Sequence, residues 1–393
     1  MGHNGRSMQS PVPINRLPAS PARLDTIARA RQVLLQERAP ASTGLVEPWI
    51  ERSWQRCLAS GHDPQHAVNF ELLSAAQARR TRDSNRALTQ AARPVLEELG
   101  RALANTRYFA ILTNAHGVVV DVNGPIDRSD RRADLITRIG VDLSEHCVGT
   151  TAIGAVLAER QPVWLHRGEH FFNDTSSYSC AGAPLFGPRG ECVGMLDLTG
   201  VDAPERPELK HLAVQSARSI ENILALRQNH TLLLRLNWPG HRLGDDSDGL
   251  VGLDGDGFVT TSNSAARQML PLLAGPATGA GNRAHGSELF ALPVNLLFDA
   301  ARHDGTVIDV PLWSGLRLQA LATPASGARG VWPPSTPIPL QAPRTTDPRR
   351  LKDIEAALIR AAVDDAKGNV AQAAARLGVS RATVYRKLGT RAH

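Results

Sequence analysis

The sequence predicts a multidomain α+β protein with a helical N-terminal segment, two successive α/β domains and an all-α unit at the C-terminus. Three observations predict it. The 393 residues, 42% hydrophobic and 21% charged, exceed the roughly 250–300 residues that one core serves. Apolar spacing changes near residue 106, from steps of three and four to short alternating runs bounded by glycine turns. Charge is segregated: eleven Lys/Arg and five Asp/Glu between Arg344 and His393 carry the whole formal excess of +6. A basic segment of this kind attracts nucleic acid or an anionic surface.

Taken in order, residues 1–22 are Pro/Ser-rich and predicted to be disordered. They hold no apolar core of a secretory signal, and no run of about 18 apolar residues follows anywhere. Four scattered cysteines, Cys57, Cys147, Cys180 and Cys192, form no disulfide framework. A cytoplasmic protein is expected. Residues 23–106 read as helical, with interruptions at Pro40–Gly44 and Gly61–Pro64, and Val95, Leu96, Leu99 and Leu103 mark the last apolar stripe.

Residues 107–230 form the first α/β domain. Phe109–Thr113 and Val118–Asp121 flank Asn114-Ala-His-Gly117, a hairpin pattern. Val148–Glu159 reads as one small-residue helix and Pro162–His166 as a strand. Ala183–Phe186 and Cys192–Leu198 flank the turn Gly187-Pro-Arg-Gly190, and His211–Arg227 closes the block as an amphipathic helix. A smaller domain is expected over 245–322: two strands around Gly255-Asp-Gly257, a helix Ser264–Leu270, and two strands in 307–322. Residues 323–348 hold seven prolines in 26 positions and read as an extended linker.

The tail, 349–393, reads as three short helices. Arg349–Asp365 buries Leu351, Ile354, Leu358, Ile359 and Ala362. Asn369 caps a second helix that turns Ala373, Ala374 and Leu377 inward, and Gly378-Val379 makes the turn. Ser380 caps a third helix, in which Val384 and Leu388 point inward and Arg381, Thr383, Tyr385, Arg386 and Lys387 outward. This is a helix-turn-helix pattern. Arg381, near the start of the third helix, suits the guanine edge; Ser380, Thr383 and Tyr385 suit phosphates or bases, and Arg386 and Lys387 suit phosphates. The outer face has no large apolar anchor for a membrane.

The motif Gly368-Asn369, Ala373-Ala374, Leu377-Gly378-Val379-Ser380-Arg381 and Thr383–Leu388 closely resembles the Fis-type helix-turn-helix of bacterial enhancer-binding regulators. That resemblance implies a homodimer joined through Arg349–Asp365 and a pseudo-palindromic double-stranded DNA operator. Upstream, Ser53-Trp54-Gln-Arg56-Cys57, Gly61-His-Asp63-Pro64, Glu145-His-Cys-Val-Gly149-Thr150, Glu169-His170-Phe171, Cys180–Gly190 and Gly194-Met-Leu-Asp197-Leu-Thr-Gly200 are similar to acetoin-catabolism regulators. Dihydroxyacetone-operon regulators are similar in architecture. The likeness spans about residues 45–230 and implies a GAF domain, a six-stranded small-molecule sensor. Residues 245–322 look like a PAS domain through Leu253–Gly257 and Asn263. The family also carries an AAA+ ATPase whose phosphate loop needs Gly-Lys. None of the four lysines, Lys210, Lys352, Lys367 and Lys387, follows a glycine. The protein is therefore expected to recruit or block RNA polymerase, or to assist a complete AAA+ regulator, without its own ATPase.

Trp164, Phe171, Phe172, Tyr178 and Cys180 are the candidate effector pocket, with the filling of a core as their plainer role. The aromatic and polar residues there do not name the effector; the resemblance adds small oxygenated carbon compounds. No cofactor is implied. Two other classes remain: a cysteine redox enzyme like the free methionine sulfoxide reductases, needing a low-pKa thiol, and a metal or redox sensor using His166, His170 and the cysteines. The DNA-reading tail makes a nucleoid-associated regulator the simpler account.

Overall fold

The chain divides into two compact units, Met1–Pro333 and Pro334–His393. The computed structural model describes residues 21–37, 43–71, 73–274, 283–303 and 305–324 of the first. In the second it describes Val363, Ala366, Asn369, Val370, Gln372, Ala374 and Val384.

The first unit opens with α1 (Pro21–Arg31), α2 (Pro48–Ala59), α3 (Ala75–Ser84) and α4 (Arg86–Ala102). The second interruption is longer than Gly61–Pro64. The described residues between α2 and α3 form turns and irregular chain, and part of their backbone bonds elsewhere: Asn173 N–H donates to Pro64 O at 2.9 Å, and Leu73 N–H to Gly140 O at 3.0 Å. Then come β1 (Tyr108–Asn114), β2 (Val119–Asn123), α5 (Arg131–Ile136), α6 (Glu145–Val148), α7 (Ala152–Glu159), β3 (Val163–His166), β4 (Tyr178–Phe186), β5 (Cys192–Val201) and α8 (Leu209–Leu226). The helix expected over Val148–Glu159 breaks at Gly149, whose φ of 65° lies in the left-handed region that ends α6. Thr151 then caps α7 by accepting from Gly154 N–H at 3.2 Å.

β1 to β5 form one antiparallel sheet in the order β2-β1-β5-β4-β3. Five strands, not six, are present among the described residues. Strand alternation sends Phe109, Ile111, Leu165, Tyr178, Cys180 and Met195 to one face, where α2, α5 and α7 cover them. Tyr108, Ala110, Leu112, Trp164, Leu185, Leu196 and Leu198 go to the other, under α4 and α8. In α8, Leu209, Ala213, Ala217, Ile220 and Leu224 make the matching stripe.

The second sheet comprises β6 (Leu232–Asn237), β7 (Gly249–Leu253), β8 (Val259–Ser262), β9 (Val307–Pro311) and β10 (Arg317–Pro324), ordered β8-β7-β6-β10-β9. Between β8 and β9 stand α9 (Ser264–Met269), α10 (Gly286–Leu289) and α11 (Val294–Ala300). Its central strand precedes residue 245, where the domain was expected to begin. Were β6 attached after β10, this order would become that of the first sheet. The second sheet is thus a circular permutation of the first layout, its middle strand supplied directly by α8.

The two sheets meet across a polar seam on α8. Glu221, 4% exposed, accepts from Phe186 N–H at the end of β4 (2.8 Å) and from Ser264 N–H at the start of α9 (3.3 Å). Asn222 accepts from Asn263 Nδ2 at 2.7 Å and donates to Asp246 O at 3.1 Å. Ser262 N–H donates to Pro188 O in the β4–β5 turn at 2.9 Å. Arg267 donates to Ser262 O at 2.7 Å and lies over the Phe186 ring. In the second unit, Ala374 and Val384 are buried together, with Val363 and Val370 against them. Asn369 Oδ1 accepts from Gln372 N–H at 3.2 Å, the bond of an N-cap.

Glu221→Ala removes the acceptor of two half-buried N–H donors and is expected to cost about 1–3 kcal/mol. Urea unfolding followed by circular dichroism checks this; an unchanged midpoint would remove the seam from the stability of the first unit.

Candidate functional site

On the α2/α7 face of the first sheet, a hydrophobic core encloses a polar cluster. Antiparallel register sets Cys180 opposite Thr199 and Gly182 opposite Asp197, so Cys180, Thr199 and Asp197 share that face. At Gly182 a side chain would meet Met195 at 2.7 Å and Val156 at 2.9 Å, so the missing Cβ lets α7 close over the strands. His170 reaches in from the loop after β3. It is 0% exposed, and Asp197 and Thr199 are each 2% exposed.

The four side chains form a chain of hydrogen bonds. His170 Nε2 lies 3.4 Å from Cys180 Sγ, and its Nδ1 lies 2.9 Å from Arg167 O. Thr199 Oγ1 lies 3.3 Å from Cys180 Sγ and also bonds Asp197 Oδ2. Among the described residues Asp197 Oδ1 is buried and takes no hydrogen bond, although the neighbouring Leu198 N–H also draws the carboxyl downward. Burial holds His170 down at about 4, lifts Cys180 well above the usual thiol range, with Asp197 adding to the rise, and raises Asp197 to about 7, against the pull of Thr199. Burial thus disfavours the charged form of each group, and below about pH 7 all of them are mainly neutral. One proton arrangement then satisfies every link: Asp197 O–H to Thr199, Thr199 O–H to Cys180, Cys180 S–H to His170 Nε2, and His170 Nδ1–H to Arg167 O. The tautomer is assigned by this network. What it leaves over is one carbonyl acceptor, Asp197 Oδ1.

The sequence motifs converge around this face. In α2, Ser53 Oγ donates to Glu145 Oε2 at 2.6 Å and lies 2.7 Å from Thr150 Oγ1; Trp54 Nε1 donates to Glu169 O at 3.0 Å. Arg56 donates to both Glu145 oxygens, at 2.6 and 2.9 Å, and to Glu159 at 3.0 Å. Those carboxylates hold its guanidinium above its ordinary range against the pull of burial. The motif therefore fastens α2 to α6, to α7 and to the loop bearing His170. A surface cleft of about 370 Å³ beside it is lined by Arg56, Cys57, Ser60, Glu145 and His146.

Of the expected pocket residues, Phe171, Phe172, Tyr178 and Cys180 share this core. Phe171 and Phe172 meet edge to face, and Tyr178 tilts against His170. Trp164 lies on the opposite face, with α4 and α8, because Leu165, not Trp164, is the strand neighbour that pairs with Cys180. His166 also turns that way: it stacks on Trp164, and its Nδ1 lies 2.8 Å from Ser179 Oγ. The two imidazoles thus take different partners, and among the described residues no group of three His, Cys, Asp or Glu is placed to hold a metal ion. Sequence reasoning did not single out Asp197, Thr199 or His170 as one cluster. Ser380, Arg381, Thr383, Tyr385, Arg386 and Lys387 lie outside the described residues. Among those described, no helix is long and apolar enough to cross a membrane.

Residues 25–222 match the family described as MimR, N-terminal domain. Residues 350–389 match the Fis family of bacterial regulatory proteins. The chain is similar to the acetoin catabolism regulatory protein of Cupriavidus necator, 30% identical over 266 residues, covering 65% of this chain and 39% of that protein. It is similar also to MimR of Mycolicibacterium goodii, the propane 2-monooxygenase operon transcriptional activator. The two are 28% identical over 244 residues, or 62% of this chain and 40% of that protein. The chain thus spans about two-fifths of the length of these relatives. Among solved structures, the E. coli DhaR(N)–DhaL complex aligns with a TM-score of 0.43 at 17% identity, covering 71% of this chain and all of that one.

The cluster predicts opposed pH dependences. The Asp197 carboxyl binds its proton up to about pH 7 when folded and up to about 3.8 when unfolded, so stability falls as pH rises between those values. His166 and His170, both held near 4 mainly by burial, act oppositely: stability is lost as pH falls from about 6.5 through 4. Asp197→Asn removes the first effect alone. Urea titrations are expected to find the variant gaining about 2 kcal/mol on wild type between pH 5 and 7; parallel pH profiles would contradict a carboxyl buried in neutral form.

Proposed function

Since the chain belongs to the MimR N-terminal-domain family, we propose that it is a sequence-specific DNA-binding transcription regulator whose first domain reads a small neutral molecule at Asp197. One observation carries the sensing half: a sealed, neutral hydrogen-bond chain ending in a carbonyl acceptor without a donor. A buried acceptor left unpaired costs about 1–3 kcal/mol, and a hydroxyl-bearing ligand removes that cost. No cation is among the causes that set the Cys180 or Asp197 ionisation, so an anion would enter without compensation. A neutral alcohol or hydroxyketone of a few carbons fits this chemistry. Phe171, Phe172 and Tyr178 supply the apolar wall, with Trp164 acting from behind the sheet.

The Fis-family match at 350–389 supports the DNA-binding half, and two relatives bear the names of a transcriptional activator and a regulatory protein. Arg381 is assigned to a base edge; Ser380, Thr383 and Tyr385 to phosphates or bases; Arg386 and Lys387 to phosphates. A homodimer on a pseudo-palindromic operator follows from that class of reader. Because no lysine follows a glycine in the sequence, the protein acts on polymerase by recruitment or obstruction, or through a complete AAA+ regulator, rather than by its own phosphate loop. The competing cysteine chemistry finds little support. Burial is the largest influence on Cys57, Cys147, Cys180 and Cys192 and raises all four thiols, whereas a reductase needs one lowered.

Two measurements test the halves separately. Fluorescence anisotropy on DNA upstream of its own gene is expected to lose about 1–3 kcal/mol for Arg381→Ala and to weaken with salt in both proteins; equal binding by both removes base reading. A thermal-shift series with neutral two- to four-carbon alcohols and hydroxyketones is expected to stabilise wild type and not Asp197→Leu. No shift with any of them overturns the hydroxyl reading.

A further inference from the structure

We infer that α1 is a strap that gates the buried cluster, fastened and released through Arg23 and Arg31. The inference rests on the cluster being the effector site, and it concerns how that site opens. His170 and Asp197 lie almost wholly out of solvent, so any molecule reaching them must first move a covering element. The cover is the loop Arg167–Asn173, which carries His170, Phe171 and Phe172 into the core.

The loop is held from outside by one face of α1. Arg23, Ile27 and Arg31 recur at four-residue steps and so line one side of the helix. Arg23 Nη2 donates to both Glu169 oxygens, at 3.0 and 3.1 Å, and the same side chain pairs with Glu205. Ile27 sits over Gly168, where a Cβ would come within 3.1 Å of it. Arg31 donates four times into the loop: to Gly168 O (3.0 Å), His170 O (2.6 Å), Phe171 O (2.9 Å) and Asn173 Oδ1 (2.7 Å). It also lies 5.8 Å from the centre of the Trp54 ring. One planar fork thereby satisfies the loop carbonyls of Gly168, His170 and Phe171, which a lysine would not reproduce.

The loop stores what opens it. Arg167, its first residue, has φ of 50°, a left-handed conformation that costs a side-chain-bearing residue energy and persists only where neighbours enforce it. Removing the guanidinium leaves three loop carbonyls without that donor, and solvating them favours the open loop. Within α1 only Ile27 and Ala30 are buried between the two arginines, and its helical continuation Gln32–Gln36 is anchored by Leu34 and Leu35 in the core. The strap is therefore tied apolarly at its C-terminal end and held over the loop mainly by the two arginines. In this arrangement Arg31 is a positioning residue and touches no ligand.

Cys180 reports the opening, because its thiol lies inside the cluster and reacts only when the cover moves. Peptide-resolved mass spectrometry after N-ethylmaleimide pulses on the full chain gives its rate alongside that of Cys57, which is buried on α2 itself. Arg31→Ala is expected to speed Cys180 labelling at least about tenfold while Cys57 changes less than about twofold. Arg23→Ala should act in the same direction, and Arg31→Lys should resemble Arg31→Ala. An unchanged Cys180 rate in all three variants, or a rise matched by Cys57, overturns the strap. Repeating the pulses with butane-2,3-diol separates the two readings. If the diol protects Cys180 in neither protein but Arg31→Ala still labels faster, the strap stands and the hydroxyl site falls; a diol that protects while Arg31→Ala labels at the wild-type rate gives the reverse.

Discussion

Helix α8 has to satisfy two neighbours at once, and the rest of the first unit depends on how it does so. One side is an apolar stripe of small and branched residues that lies on the first sheet. The adjacent side carries Glu221 and Asn222, buried polar groups that would be costly anywhere without partners. The second domain supplies one backbone donor, at the start of α9, and one amide, from the residue before it, while the end of β4 supplies the other backbone donor. Hydrophobic burial therefore fixes where α8 lies on the first sheet, and hydrogen bonding fixes how the second sheet is turned against it. The Glu221 carboxyl is pushed upward by burial and drawn back by Ser264, Phe186 and Arg267. Removing one member strands the others, as in any connected buried polar network.

The cluster under α7 follows a different rule. No cation is among the influences on Asp197, and burial raises its carboxyl to about 7. A carboxylic acid has one more donor than a carboxylate, and that proton lets four side chains, a carboxyl, a hydroxyl, a thiol and an imidazole, link in a single direction. A carboxylate at Asp197 would compete with Cys180 for the one proton of Thr199. Neutrality is thus a condition for the network, and the unfilled acceptor at its end is a consequence of counting donors. A core that tolerates such an acceptor gives up stability at that point.

Much of the fold was legible because turn chemistry is local. Asn114–Gly117, Gly187–Gly190 and Gly255–Gly257 announce hairpins that the β1–β2, β4–β5 and β7–β8 pairings contain. The α8 stripe is likewise visible as spacing. The central strand β6 was not legible, because Thr231-Leu-Leu-Leu-Arg-Leu follows a helix with no breaker and a fully buried run has no period. The cluster was half legible. Cys180 and the aromatics stood out, but Asp197 and Thr199 alternate with Leu196 and Leu198 as polar residues do on a solvent-facing strand. Only a sheet covered on both faces turns those positions inward. The same alternation separates Trp164 from Cys180, and the register that decides it depends on pairing across the β3–β4 loop. The bonds from Arg23 and Arg31 to the loop span about 140 residues of sequence, a separation over which no periodicity operates.

The permuted order of the second sheet gives these separate features one direction. Cys180 sits on β4, the strand whose far end, Phe186, is bonded by Glu221. α8 runs from that bond into β6, and β6 pairs along its whole length with β10, from Asn237 opposite Gln319 to Leu232 opposite Pro324. β10 is the last strand before the Pro-rich stretch. In a layout like that of the first sheet, the middle strand would come last, and the helix before the domain would feed the strand beside the middle one, as α4 feeds β1. Here the helix from the first sheet feeds the middle of the second directly, so a displacement of α8 acts on the strand that holds the sheet together. Packed sheets resist continuous deformation and pass on discrete rearrangements. The loop under α1 is the element with two such arrangements, closed by the arginine fork or opened by its loss. A molecule that binds only with the loop open biases that element by its own preference between the two states and by no more.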